Sequence, residues 1–230
     1  MLAMRCKLLV AALIVLAAQA FSAAAEWPVK RGESREPAPF VFHRDQLREL
    51  PIELSRDYAA CLLHASNHFR IEADGTVENT IHEVILLNKR KGIEQLGEYR
   101  GITFCTDYET LTLNEARVHK PTGKTVAVGP DHVQLRDSST DYQVYDRAKE
   151  LVISFPAIEI GDVLEIKWTT RGKHPEYRGR FFARYPFGDE KHPVWRDALS
   201  VRVPKGTTLK HAVFNPDRAP GNGLKPQRTE

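Results

Sequence analysis

The chain has 230 residues, of which 42% are hydrophobic and 27% charged, and its formal net charge is +3. This composition is typical of a globular protein with a sizeable core and excludes an intrinsically disordered chain. The nearly balanced charge gives no general attraction to nucleic acid or to an anionic membrane surface, so we expect no nucleic-acid partner.

The N-terminus has the three zones of a cleavable secretory signal. Arg5 and Lys7 supply the positive start, and residues 8–20 form an uncharged apolar run. The small residues that end at Ala25 fit the narrow pocket of signal peptidase, which predicts a signal peptide over residues 1–25. We expect export to the periplasm or the extracellular space and no transmembrane anchor after cleavage. An uncleaved anchor helix is the alternative.

Three regions are expected in the rest of the chain. Residues 26–57 combine prolines and charges with little pattern, and predict an extended lead-in with a short helix. Residues 58–215 predict one β-sandwich domain, and residues 216–230, which are polar and rich in Pro and Gly, predict a flexible tail.

The β domain shows the alternation of apolar and polar residues that strands require. Asp74 and Gly75 separate two such runs, 60–72 and 76–88, and predict a hairpin. Near Asn114 the apolar residues move from odd-numbered positions, Leu111 and Leu113, to even-numbered ones, Ala116 and Val118. This shift predicts a β-bulge. Eight or nine strands without a long helical pattern predict an all-β fold, an antiparallel two-layer β-sandwich.

The clearest strand begins after Gly161 and Asp162. Its residues on one face, expected to lie in the core, are Leu164, Ile166 and Trp168. Its residues on the opposite face are Glu165, Lys167 and Thr169. Residues 209–214 predict a last short strand.

No catalytic or metal-binding set can be assembled from the sequence. Cys61 lies in an apolar run that should raise its pKa, and Cys105 has no helical pattern around it, so neither suits a nucleophile. His64 and His68 would lie about 13 Å apart on a strand, too far for one metal ion. We expect no enzyme activity, cofactor or metal site.

The pairing of Cys61 and Cys105 is a separate question. Two unpaired thiols and a Cys61–Cys105 disulfide both remain open.

Basic and aromatic residues are interleaved between positions 171 and 187. The pattern is typical of an edge hairpin whose aromatic rings turn inward beneath arginine stems. The alternative is a surface that binds peptide or polysaccharide. The residues of that candidate ligand face are Arg178, Arg180, Phe181, Arg184 and Tyr185.

Several short motifs follow one another in a recognisable order. They are Ile71-Glu72-Ala73-Asp74-Gly75-Thr76, Ile85-Leu86-Leu87-Asn88, Gly92-Ile93-Glu94, Leu111-x-Leu113, Ala116-x-Val118, Pro121-x-Gly123, residues 156–163, and the segment from Pro193-Val194 to Pro204. In this order they resemble the uncharacterised domain that precedes transglutaminase-like domains in many exported bacterial proteins. The resemblance covers residues 58–214.

The resemblance implies a non-catalytic β-sandwich that binds or scaffolds a partner at the cell envelope. The implied partner carries a transglutaminase-like or peptidase domain, because the sequence holds no such domain after the sandwich. Two alternatives are a stand-alone envelope module that binds glycan or peptide, and a fragment of a longer transglutaminase-like protein.

Overall fold

The computed structural model describes residues 26–36, 40–138, 147–176 and 180–214. The predicted signal peptide, the predicted tail and Arg178 lie outside these residues. The strands are β1 (Lys30–Arg31), β2 (Ala60–Ile71), β3 (Val77–Leu87), β4 (Glu98–Cys105), β5 (Glu109–His119), β6 (Thr125–Ala127), β7 (Val133–Asp137), β8 (Ala148–Ser154), β9 (Val163–Gly172) and β10 (Asp197–Arg202).

The helices are all short. Two α-helices, α1 (Ile52–Arg56) and α2 (Arg90–Leu96), accompany the 3-10 helices Arg44–Arg48 and Pro130–His132. Within the described ranges, none of the helices has the length and apolarity needed to cross a bilayer.

The strands form two sheets that pack face to face. The larger sheet has seven strands in the order β1-β5-β9-β3-β2-β10, with β6 paired to β5, and the smaller has three in the order β4-β8-β7. Residues of both sheets share one apolar cluster, including Leu164, Ile166 and Trp168 from β9 and Ile102 and Leu151 from the smaller sheet. The predictions of an all-β two-layer fold and of the core face of β9 are confirmed.

Two edge strands depart from the antiparallel pattern. β1 pairs with β5 and β10 pairs with β2 in parallel. Side chains alternate in the same way in parallel and antiparallel strands, so the sequence pattern carries no information about strand direction. The sheet is therefore mixed, with an antiparallel centre.

The predicted hairpin and bulge are both present. β2 and β3 are joined at Gly75, whose φ of 84° glycine adopts without steric cost. The pairing of β5 with β9 shifts register between Leu113 and Glu115, where the bulge was predicted. The predicted strand over residues 209–214 is wrong. Those residues lie beyond β10, the last strand of the sheet, and have no ladder to join.

The lead-in crosses the outer face of the larger sheet, which is the face turned away from the smaller sheet. We call residues 32–36 and 40–50 the strap. Phe40 and Phe42 are buried in a second apolar cluster together with Cys61, Leu63, Val84, Leu86 and Val163. As a result, the second face of β9 is also buried, including the charged side chains of Glu165 and Lys167.

Candidate functional site

A cluster of titratable side chains lies beneath the strap, with three members buried and two, Arg117 and His119, partly exposed. We call this group the histidine face; its members are His64 of β2, His82 of β3, Glu165 of β9, and Arg117 and His119 of β5. The four strands are neighbours in the sheet, and these side chains all project from its outer face.

Glu165 is the centre of the histidine face. Its carboxylate accepts hydrogen bonds from His82 Nε2 at 2.9 Å, from Arg117 Nε at 2.8 Å and from His119 Nε2 at 2.6 Å. Burial alone would raise the pKa of Glu165, but the hydrogen bonds from His119, His82 and Arg117 outweigh it and hold the pKa well below its usual range. Glu165 is therefore a buried carboxylate that stays ionised.

His64 lies beside this network as a neutral ring. Burial, followed by the nearby His82, His68 and Arg196, lowers its pKa to about 3. Its Nε2 atom is buried and makes no hydrogen bond. Phe40 of the strap stacks on the His64 ring with centroids 4.4 Å apart.

The strap is tied to the sheet mainly through side chains. Arg70 Nε donates to Glu36 Oε1 at 3.0 Å, and Lys167 Nζ donates to the backbone oxygen of Glu36 at 3.2 Å. At the other end, Arg44 Nη2 donates to the backbone oxygen of Gly161 at 2.7 Å. These contacts hold the strap over the histidine face.

The bulge in β5 provides a further tie. Asn114 Nδ2 donates to the backbone oxygen of Gly32 at 2.9 Å, while Asn114 Oδ1 accepts from Thr169 Oγ1 at 2.8 Å. The extra residue of a bulge is turned out of the regular ladder, so its amide can reach both the strap and the sheet.

The histidine face contains groups used in acid–base catalysis, but its central pair, His82 and Glu165, is closed to a substrate. Glu165 is 2% exposed and His82 is 1% exposed. A general base needs hydrogen-bond reach to the proton that it removes, and the strap occupies that space. Among the described residues, no three His, Cys, Asp or Glu side chains are placed to hold a metal ion.

The two cysteines of the domain are free thiols in the structure. Cys61 is fully buried on β2 of the larger sheet, and burial raises its pKa to about 12. A nucleophilic cysteine needs the opposite shift, because the thiolate is the reactive form. Cys105 ends β4 in the smaller sheet, so the two residues belong to different layers.

The structure brings together only part of the predicted ligand face. Arg180 and Phe181 line a cleft together with Phe69, Asn79 and Phe182. The ring of Phe181 packs on that of Phe69 with centroids 5.2 Å apart, and Asn79 Oδ1 is buried without a hydrogen bond. The cleft therefore combines aromatic walls with Arg180, the acidic residue Glu109 and an unsatisfied acceptor.

The remaining residues of the predicted ligand face lie elsewhere. Burial raises the pKa of the Tyr185 hydroxyl, and the hydrogen bond that this hydroxyl donates to Asp197 acts in the same direction. Arg184 is exposed. Within residues 171–187, the described part has strand only at 171–172, the end of β9, so the predicted edge hairpin is wrong in that part.

The histidine face was missed by sequence reasoning. Its only sequence signal is parity: His82 on β3 and Glu165 on β9 alternate with core residues, which places each on the outer face. Nothing in the pattern indicates which strands become neighbours or that the lead-in would cover them.

The two-layer sheet with its covering strap defines a β-sandwich domain, and its family can be stated. The chain belongs to DUF3857, described as a domain of unknown function with a solved structure, whose family profile matches residues 73–229. No curated protein matches the chain.

Solved structures share this fold. One of them is the crystal structure of a "putative protease" from Parabacteroides distasonis, with a TM-score of 0.60 and 22% sequence identity. The similar region covers 65% of this chain but 30% of that one, so this chain matches less than a third of the other protein's length. At this identity the similarity shows the fold alone.

Proposed function

We propose that this chain is an exported, non-catalytic β module that binds or scaffolds a catalytic protein with a transglutaminase-like or peptidase domain at the cell envelope. The observation that carries the proposal is the burial of its reactive groups. Cys61, His82 and Glu165 are enclosed by the sheet and the strap. A nucleophile and its base must reach a substrate, and these groups do not.

The proposed class of partner has separate support. The order of motifs from Ile71 to Pro204 resembles a domain that stands beside transglutaminase-like domains. The same fold also occurs within a longer chain described as a "putative protease". Function resides in particular sites rather than in a fold, so the partner class is a hypothesis to be tested directly.

The first experiment tests the absence of catalysis. The purified chain is assayed for hydrolysis of casein and for amine incorporation into it, with and without reductant. We expect neither activity. Thiol-dependent turnover that is abolished by Cys61→Ser or Cys105→Ser would show that the chain is itself an enzyme.

The second experiment tests export and the partner. The tagged chain is expressed in its native host, fractionated and reversibly cross-linked before purification. We expect it outside the cytoplasm with Glu26 at its N-terminus, together with a transglutaminase-like or peptidase protein. Recovery of the full-length chain in the membrane would reject cleavage, and purification without such a protein would reject the partner.

A second candidate function rests on the cleft beside Phe181. Aromatic walls, Arg180 and the unsatisfied Asn79 Oδ1 are suited to an extended peptide or a polysaccharide. The measurement is retention of the purified chain on peptidoglycan or on polysaccharide resin. Retention that is lost in Arg180→Ala with Arg184→Ala would favour this function over a scaffold for a protein partner.

A further inference from the structure

Exposed apolar side chains are concentrated in one part of the described chain. Ten large apolar side chains are exposed in the described ranges, and six of them lie within residues 180–214. These six are Phe182, Phe187, Leu199, Leu209, Val213 and Phe214. Phe182 is 68% exposed, which is far more than an aromatic side chain shows in a core.

Two of these, Phe182 and Leu199, lie on one apolar surface together with three half-buried neighbours. We call it the apolar patch; its members are Phe69, Phe181, Phe182, Leu199 and Val201. Val201 pairs in register with Phe69, whose ring lies 5.2 Å from that of Phe181. Phe182 lines the same cleft as these two rings. Leu199 is two residues before Val201 on β10 and therefore lies on the same face.

The apolar patch lies on the face of the larger sheet that elsewhere forms the core. Ala65, four residues before Phe69 on β2, packs against the core cluster. None of the patch residues belongs to that cluster. Phe69, Phe181 and Val201 are only half-buried, so the core packing does not fully cover this part of the face.

The segment that supplies most of the patch is strongly basic. Residues 180–214 contain seven Lys or Arg against three Asp or Glu, a formal charge of +4, whereas the whole chain has +3. Arg180 lines the cleft next to Phe181, and Arg184 is exposed nearby in the sequence. An apolar centre with arginine at its edge is typical of protein–protein interfaces.

We propose that the apolar patch is the docking surface for the partner's catalytic domain, and that this domain presents an apolar face with a carboxylate-rich rim. The inference rests on the proposed function and adds where the partner binds and what its surface is like. A partly exposed apolar surface marks an interaction site. Arg180 at the cleft and the exposed Arg184 of the same segment favour an acidic counterpart.

The experiment maps contacts one position at a time in the native host. A photoreactive phenylalanine analogue replaces either Phe182 or Leu199 of the patch. The matched controls replace Ile52 or Ile160, which are exposed apolar residues outside residues 180–214. After irradiation, mass spectrometry identifies each cross-linked protein and peptide.

We expect the patch positions to cross-link to a transglutaminase-like or peptidase domain, at a peptide rich in Asp and Glu, and the control positions not to do so. Adding Arg180→Glu with Arg184→Glu should lower the cross-link yield by about tenfold, because charge reversal at a rim weakens attraction to carboxylates.

The other outcomes separate the two proposals. If the catalytic protein cross-links only through Ile52 or Ile160, the docking surface is wrong and the scaffold function stands. If no catalytic protein cross-links at any position, the scaffold function itself is wrong. Cross-links from the patch to a second copy, to polysaccharide or to residues 215–230 of the same chain would each overturn the docking surface.

Discussion

Phe40 of the strap stacks on His64 of β2, with ring centroids 4.4 Å apart and ring planes inclined by only 7°. The stack buries a neutral imidazole between the strap and the sheet. A proton on His64 would create a buried cation close to His82 and Arg196. The Arg196 guanidinium lies 5.7 Å from the centre of the Phe40 ring that covers His64. Closure of the strap and the protonation of His64 therefore oppose each other.

We expect the free energy of unfolding to decrease as the pH falls from about 6.5 toward 3. His64 has a pKa of about 3 when folded, against about 6.5 in an unfolded chain, so within this window only the unfolded chain takes up the proton. One such group changes stability by at most about 1.4 kcal/mol per pH unit. Glu165, whose folded pKa is also lowered, adds a loss of the same sign at pH values below its ordinary pKa. Urea melts at several pH values measure the slope.

His64→Phe is the informative variant. It keeps a flat ring against Phe40 and removes the titrating group, so the slope between pH 6.5 and pH 5 should become shallower. His211→Phe, at an exposed position, is the matched control and should leave the slope unchanged. An unchanged slope in His64→Phe would show that other groups cause the acid sensitivity.

Phe40→Ala should loosen the strap. Phe40 is buried against the sheet, and truncation of a buried phenylalanine typically costs about 3–5 kcal/mol. Its neighbour Val41 is 57% exposed, so Val41→Ala should cost less than about 0.5 kcal/mol. Hydrogen exchange should increase in the strap, residues 32–36 and 40–50, of Phe40→Ala alone. Equal exchange in both variants would mean that Phe40 does not anchor the strap.

The hairpin turn, the bulge and the core face of β9 could be predicted from the sequence because each depends on residues close together in the chain. The turn at Asp74-Gly75 needs a residue that tolerates positive φ, and the parity change near Asn114 has no other explanation within a strand. The core face of β9 follows in the same way from the alternation of Leu164, Ile166 and Trp168.

The candidate site was not accessible, because its causes are non-local. Glu165 receives hydrogen bonds from residues that are 46 to 83 positions away in the chain. The strap shows no apolar–polar alternation in its sequence, since Phe40, Val41 and Phe42 are all apolar although only the two phenylalanines are buried. A polar strand face normally predicts solvent exposure, and only the three-dimensional path of the lead-in reverses that expectation.

Glu165→Gln should destabilise the fold by about 3 kcal/mol. The amide has one acceptor oxygen and a neutral charge, so the donors Arg117, His82 and His119 lose their common carboxylate while remaining at least partly buried. Thermal and urea melts measure the loss. Glu53→Gln, on an exposed turn of α1, is the control and should be neutral. A loss below 1 kcal/mol in Glu165→Gln would show that the network contributes little to stability.

The two domain cysteines should differ sharply in reactivity. Cys61 is fully buried and its pKa is raised to about 12, so almost no thiolate is present near pH 8. Cys105 is only partly buried at the end of β4. In a Cys6→Ser background, iodoacetamide should modify Cys105 first and Cys61 only after denaturation. Thiol counting in denaturant without reductant should then give two reactive groups. A count of zero would reveal a Cys61–Cys105 disulfide, and rapid native modification of Cys61 would contradict its burial.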